Sequence, residues 1–293
     1  MIESNKERSF WFGKKVLITG HTGFKGSWLT IYLLLKGANV YGFSLPKIKD
    51  SLYSKLELNK QNLDGKLYDN FGNIIEKNNF EKFLVDLQPD IVFHLAAQSL
   101  VRKSYLSPYE TWNVNLMGSI NLIESLNKIE KKCACIVVTT DKVYANQNQI
   151  YSYREIDPLG GKDPYSASKS AVELAINSWR SSFCGLKSHQ IRNLGISTVR
   201  AGNVVGGGDW AEDRIVPDAI RSLIEKKSLN IRNPKSIRPW QHVLEPLNGY
   251  VLLAKEMYES LPIADNDNQE IYGAFNFGPT IDSNKSVEEL IQK

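Results

Sequence analysis

The chain has 293 residues, of which 42% are hydrophobic, and its 36 basic and 32 acidic side chains leave a net charge of +4. That length suits one large α/β domain, or such a domain with a smaller lobe, and the composition excludes disordered and fibrous architectures. The charges are scattered, and clusters such as Lys128 to Lys132 alternate with glutamate like a solvated helix face, so no nucleic-acid partner is expected.

Three cysteines, Cys133, Cys135 and Cys184, are an odd number, and the opening MIESNKERSF holds no apolar signal-peptide core. A reducing, cytoplasmic setting is expected. The longest apolar stretch, Trp28 to Leu35, is too short to cross a bilayer, so no membrane partner is expected. His21, His94, His189 and His242 have no second His or Cys at ligand spacing, so no metal is expected.

Lys14 to Thr19 reads as a buried strand closed by Gly20, and Ser27 to Lys36 as a helix stopped by Gly37. Val40 to Phe43 is a second strand, Phe80 to Leu87 a helix, and Ile91 to Leu95 another strand. Tyr109 to Asn127 reads as helical, Cys133 to Thr139 as a strand, Tyr165 to Phe183 as a helix and Ile196 to Arg200 as a strand. This alternation predicts a Rossmann-type, doubly wound parallel sheet with right-handed crossovers, an α/β fold. Beyond Gly202 the texture changes to Gly, Asp, Pro and Arg segments around two helices, Ile215 to Lys226 and Leu244 to Tyr258. The expected division is a dinucleotide-binding domain at 13–201 and a substrate lobe at 202–293, with helix 244–258 returning to the first domain. Ser286 to Glu289 looks like a capping box with only about two turns to follow, so a missing C-terminal portion or a frayed end is expected.

Thr19-Gly20-His21-Thr22-Gly23-Phe24-Lys25-Gly26 follows a strand and opens a helix, where backbone N–H groups and the helix dipole can hold a pyrophosphate. Gly20, Gly23, Phe24, Lys25 and Gly26 are therefore candidate cofactor contacts. The acid expected at the end of the second strand is absent from Tyr41 to Lys47, and on these residues alone NAD and NADP stay open. Leu95, Ala96, Ala97 and Gln98 end a later strand, where small residues let a nicotinamide ribose lie against the backbone.

Tyr165 and Lys169 stand one helical turn apart on the same face, so the ammonium is expected to lower the pKa of the phenol and make it a base. The preceding strand ends in Thr139-Thr140-Asp141-Lys142. Thr140 can bond the sugar oxygen that Tyr165 deprotonates, and Asp141 and Lys142 project into the crevice at the carboxyl end of the sheet. Asn115 is a candidate brace for the site's backbone. Arg214 and Arg238 can supply cations to a diphosphate, and Asn203 a further contact.

With TGHTGFKGSW from Thr19, FHLAAQSLVRKSY from Phe93, TTDKVY from Thr139, PLGGKDPYSASK from Pro158, VRAGNVVGGGDWAEDR from Val199 and SIRPWQHVLEPL from Ser236, the chain resembles the extended short-chain dehydrogenase/reductases that process nucleotide sugars. The resemblance implies a 4,6-dehydratase of deoxysugar biosynthesis, with CDP-glucose the favoured substrate, a homodimer, and a tightly held NAD reduced and reoxidised within one turnover. It implies Tyr165 as the base at the C4 hydroxyl and Asp141 as the acid for water loss. It places Lys142 where the dTDP-sugar branch carries a glutamate base, and Asn73 where relatives carry an aspartate beside the adenine. Two other readings are weighed: a nucleotide-sugar 4-epimerase, which needs no acid for water loss, and a non-catalytic dinucleotide sensor, which would lack the proton-transfer residues.

Overall fold

The first apolar run forms strand β1, Lys15–Thr19, in a computed structural model that describes residues 10–147, 149, 151–264 and 269–292. The opening segment read above for a signal peptide lies, apart from Phe10, outside the described residues. After β1 come α1 (Phe24–Leu35), β2 (Asn39–Ser44), α2 (Leu52–Leu56), β3 (Leu67–Phe71), α3 (Lys77–Leu87), β4 (Ile91–His94) and α4 (Val101–Leu106). The stretch expected as one helix from Tyr109 is α5 (Pro108–Trp112) and α6 (Gly118–Leu126), joined by a π-helical turn at Asn113–Met117. Then follow β5 (Cys133–Val138), α7 (Pro164–Phe183) and β6 (Leu194–Ala201).

The remainder forms β7 (Val204–Val205), α8 (Ile215–Ile224), β8 (Ile237–Pro239), β9 (Gln241–His242), α9 (Leu244–Glu259), β10 (Ala274–Phe277), β11 (Asn284–Ser286) and α10 (Val287–Ile291). Ser286 and Glu289 make the reciprocal capping box that opens α10.

Seven strands make one parallel sheet in the order β10-β6-β5-β4-β1-β2-β3. Strands buried on both faces read as continuous apolar runs. Val16 and Ile18 of β1 face one core, where α1 and α9 bring Leu29, Leu33, Tyr250 and Met257. Leu17 faces the other, where α3, α6 and α7 bring Phe80, Leu122 and Ile176. Each such side chain contributes about 1.5–3 kcal/mol on burial. β10, in the stretch expected as the substrate lobe, pairs with β6 in the main sheet. The small sheets β7-β9 and β8-β11 stand outside it.

Among the described residues no helix is long and apolar enough to cross a membrane, and no three His, Cys, Asp or Glu side chains gather to hold a metal.

Candidate active site

The strand order reverses direction between β1 and β4, and ligands of open α/β sheets bind outside the carboxyl ends of the strands at such a point. A cavity of about 1100 Å³ lies there, walled by the turns after β1, β2, β4, β5 and β6 and by the segment 202–240.

The turn after β1 is shaped by close approach. Gly20 has φ +75°, and a Cβ there would lie 2.8 Å from the Ala96 nitrogen. One on Gly26 would lie 2.2 Å from the Gly20 carbonyl oxygen. The helix α1 starts at Phe24, earlier than its apolar pattern suggests, because extended Gly23 is its N-cap. No side chain caps that end and no acid sits in its first turn. The positive end of the helix dipole therefore meets the cavity beside Gly23, Phe24 and Lys25. Burial, with Arg214 and Lys142 adding to it and Asp141 opposing, lowers Lys25 from 10.5 to about 8. This cationic cradle fits the pyrophosphate of a dinucleotide.

Leu95, Ala96 and Ala97 line the same wall. Gln98 does not. Its amide turns inward, donating to Thr111 Oγ1 at 2.9 Å and to the Leu100 carbonyl at 3.1 Å and accepting from the Leu100 N–H at 2.8 Å, so it shapes the loop instead. Buried Asn115, carried inward by the π turn, accepts from the Gln98 N–H at 2.8 Å and donates to its carbonyl at 3.1 Å and to Ser168 Oγ at 2.9 Å. It is the brace expected of it. His94, hydrogen-bonded to Thr19 at 2.7 Å and Ser119 at 3.0 Å, is lowered to about 3 by burial and the Lys169 charge, and stays neutral.

At the end of β2, where the ribose acid is missing, Ser44 Oγ sits 3.0 Å from Thr22 Oγ1 and donates to the Leu45 carbonyl at 2.9 Å. Asn73 lines the cavity nearby. Asp69 on β3 accepts from His21 and Asn59 at 3.0 and 2.8 Å and from Tyr53. Burial raises its carboxyl, but the three donors outweigh it and hold it at about 2.

Thr140, Lys142, Tyr165 and Lys169 share the cavity wall. Asp141, expected to project into the crevice with Lys142, is not among the residues that line the cavity; its carboxylate lies beside Gly202, where an added Cβ would come within 3.2 Å of Oδ2. Thr140 Oγ1 donates to Asp141 at 3.0 Å, and Lys142 Nζ lies 3.6 Å from the same oxygen. The expectation of a lowered phenol is corrected. Burial raises Tyr165, with Asp141 adding to it, against the opposing pull of Lys142, Thr140 and Arg214. Lys169 instead donates to the Val138 carbonyl at 3.0 Å, and burial lowers it to about 8 against the pull of Glu173.

Asn203, Arg214 and Arg238 line the same cavity. Asn203 Oδ1 is buried with no hydrogen-bond partner, and Arg214 is held by Asp209 at 2.7 Å. The sequence reading missed Arg102 and Arg232, both on the wall and both paired to Asp213, at 2.7 and 3.2 Å. Arg102 lies inside the segment beginning at Phe93 that carried the resemblance, but a lone arginine there gives no sign of which way it points.

The family described as GDP-mannose 4,6 dehydratase matches residues 17–285. The chain belongs to this family. Among similar relatives, the CDP-glucose 4,6-dehydratase of Salmonella typhimurium is 42% identical over 98% of the chain and 77% of its own length. The dTDP-D-glucose 4,6-dehydratase of Dictyostelium discoideum is 30% identical over 84% of the chain, which spans 56% of that longer relative. The fold of the family is shared with a solved double mutant of DesIV, a dTDP-glucose 4,6-dehydratase from Streptomyces venezuelae with NAD bound. There the TM-score is 0.76 at 19% identity, covering 94% of this chain and 78% of that one.

Proposed function

We propose that the chain is an NAD-dependent 4,6-dehydratase acting on CDP-glucose. The observation that carries this reading is the pairing of Asp141 with Lys142, 3.6 Å apart, the lysine sharing the cavity wall with Tyr165 and Thr140. Held against the turn at residues 20–26 and Lys25, NAD would supply an acceptor for the C4 hydride and a donor for its return at C6.

The chain's residues move the protons. The Tyr165 phenolate, favoured by the Lys142 and Arg214 charges against its burial, takes the C4 hydroxyl proton with Thr140 aligning the sugar oxygen, and Lys169 holds a positive charge under the site. Ketone formation at C4 acidifies the C5 hydrogen. Transfer of one proton within the Lys142–Asp141 pair turns ammonium and carboxylate into amine and carboxylic acid. The amine then removes the C5 proton while the acid protonates the departing C6 hydroxyl, which leaves as water and restores the ion pair. Lys142 returns its proton to C5 with hydride delivery at C6, and the proton that Tyr165 took from the C4 hydroxyl passes through solvent to the Lys142 amine, restoring the phenolate and the ion pair. Each transfer requires hydrogen-bond reach.

Arg214, Arg238 and Asn203 are the proposed contacts to the diphosphate, where charge-assisted bonds are strongest. The segments 202–243 and 278–292 form the proposed sugar-nucleotide lobe. A homodimer is the proposed assembly, supported by exposed Leu106, Tyr109, Trp112 and Leu174 on α4, α5 and α7. A 4-epimerase shares Tyr165 and Lys169 but has no use for the Asp141–Lys142 pair, which favours the dehydratase. Incubation with CDP-, dTDP-, GDP- and UDP-hexoses followed by mass spectrometry tests the proposal. Loss of water from CDP-glucose is expected, and an isomer of unchanged mass, resolved from the substrate by chromatography, would overturn it in favour of the epimerase.

A further inference from the structure

One carboxylate beneath the site takes no part in the scheme above. Glu173 on α7, one turn beyond Lys169, has a side chain only 2% exposed. It accepts from the Thr139 hydroxyl at 2.5 Å, from Thr198 at 2.7 Å and from Arg200 Nη2 at 2.8 Å, both of the last two on β6. Arg200, itself 4% exposed, donates onward to Tyr144 at 2.8 Å, and Tyr144 to Asn276 on β10 at 2.6 Å.

A buried ion pair is weak evidence for stability, because desolvation cancels much of the attraction and apolar replacements are often neutral or stabilising. Two links connect this one to the chemistry. Thr139 immediately precedes Thr140, Asp141 and Lys142, so a bond that fixes its side chain fixes the end of β5. Lys169 meets the Glu173 charge across one helical turn.

We propose that Glu173 is a positioning residue for the dehydration: through Thr139 it orients the strand end bearing Thr140, Asp141 and Lys142, and from one helical turn away it sets a negative charge beside Lys169. The proposal rests on the dehydratase reading. Lys169 faces Glu173 on its own helix, Lys25 from α1 and His94 from β4. Glu173 also faces Arg200 from β6 and Arg180 on α7. Burial and Lys25 lower Lys169 and Glu173 opposes them, so removing the carboxylate charge must carry the lysine below its present value of about 8.

The test measures kcat and KM for CDP-glucose against pH in the intact protein, Thr139→Val, Glu173→Gln, and Glu173→Gln combined with Arg200→Met. Lys169 is titrated in parallel by NMR of carbon-13-labelled lysine. Glu173→Gln is expected to lower kcat about tenfold at alkaline pH with KM within about twofold. Its alkaline limb and the Lys169 titration should move down by about one pH unit, a tenfold change in the charged fraction. Thr139→Val should lower kcat and leave the limb in place. If the single Glu173 variant fails to fold because Arg200 is left unpaired, the double variant should show a smaller displacement in the same direction. A limb and a Lys169 titration unmoved in the folded variant would overturn the proposal. An intact protein that leaves CDP-glucose unchanged would sink the dehydratase reading instead, and the lysine titration would still decide the role of the charge.

Discussion

Burial brings the Lys169 ammonium to about 8, so at pH 7 the folded protein holds a charge that the unfolded chain would keep in water. The unfolded lysine titrates near 10.5, so between 8 and 10.5 the unfolded state binds more protons and stability rises with pH. Lys169→Met should therefore stabilise the protein at pH 7 while removing activity. The gain should be about 1–2 kcal/mol once the lost bond to the Val138 carbonyl is set against it. Thermal melts should show that gain shrinking from pH 8 to 10.5; a variant less stable at pH 7 would contradict the argument. Asp141→Asn keeps size and loses the acid. It should slow water loss about 10²–10⁴-fold while leaving C4 oxidation, seen as reduced-cofactor absorbance in a single turnover. Unchanged water loss would remove Asp141 from the role. Tyr165, Lys169 and Thr140 were legible because helical spacing and a strand end place them without knowledge of packing. Gln98 was not, since an amide at a strand end can turn to ligand or to loop with the same backbone. The direction of the Tyr165 shift was missed because spacing reveals a neighbouring cation but not the depth of burial.

The turn after β1 is the element with least tolerance. Gly26→Ala must displace either the Gly20 carbonyl, 2.2 Å from the new carbon, or the start of α1. It should cost about 1–3 kcal/mol of stability. Calorimetry should show NAD binding weakened about 10–100-fold. Gly278→Ala, with nothing within 4 Å of the new carbon, is the neutral control. Equal effects of the two would refute the close-approach account. The strands β1, β4 and β5 were readable because burial on both faces leaves nearly unbroken apolar runs, and β2 and β6 because short β-branched or aromatic runs survive among their polar residues. β3 was not, since an edge strand carrying Asp69 and Asn70 has no such run. β10, only four residues long, likewise gives no pattern of its own and owes its place to pairing with β6. The π turn at Asn113–Met117 escaped because periodicity does not register one extra residue in a helical turn, yet it delivers Asn115 to the Gln98 backbone.

At the scale of the molecule, the sheet gathers residues from distant parts of the chain onto one cavity: the glycine turn near residue 20, the Thr140 segment, the α7 pair and the arginines beyond 202. The fold class was legible from alternation of strand and helix. The boundary at 202 captured a change of composition; the return of helix 244–258 to the first domain was part of that reading, and β10, which was not, pairs with β6 in the central sheet. The central claim is that one hydride leaves C4 and returns within the same sugar, with Asp141 and Lys142 removing water in between. Turnover of CDP-glucose deuterated at C4, read by NMR of the product, tests it most directly. The account predicts deuterium at C6; label released to solvent, or still at C4 in an unaltered hexose, would contradict it.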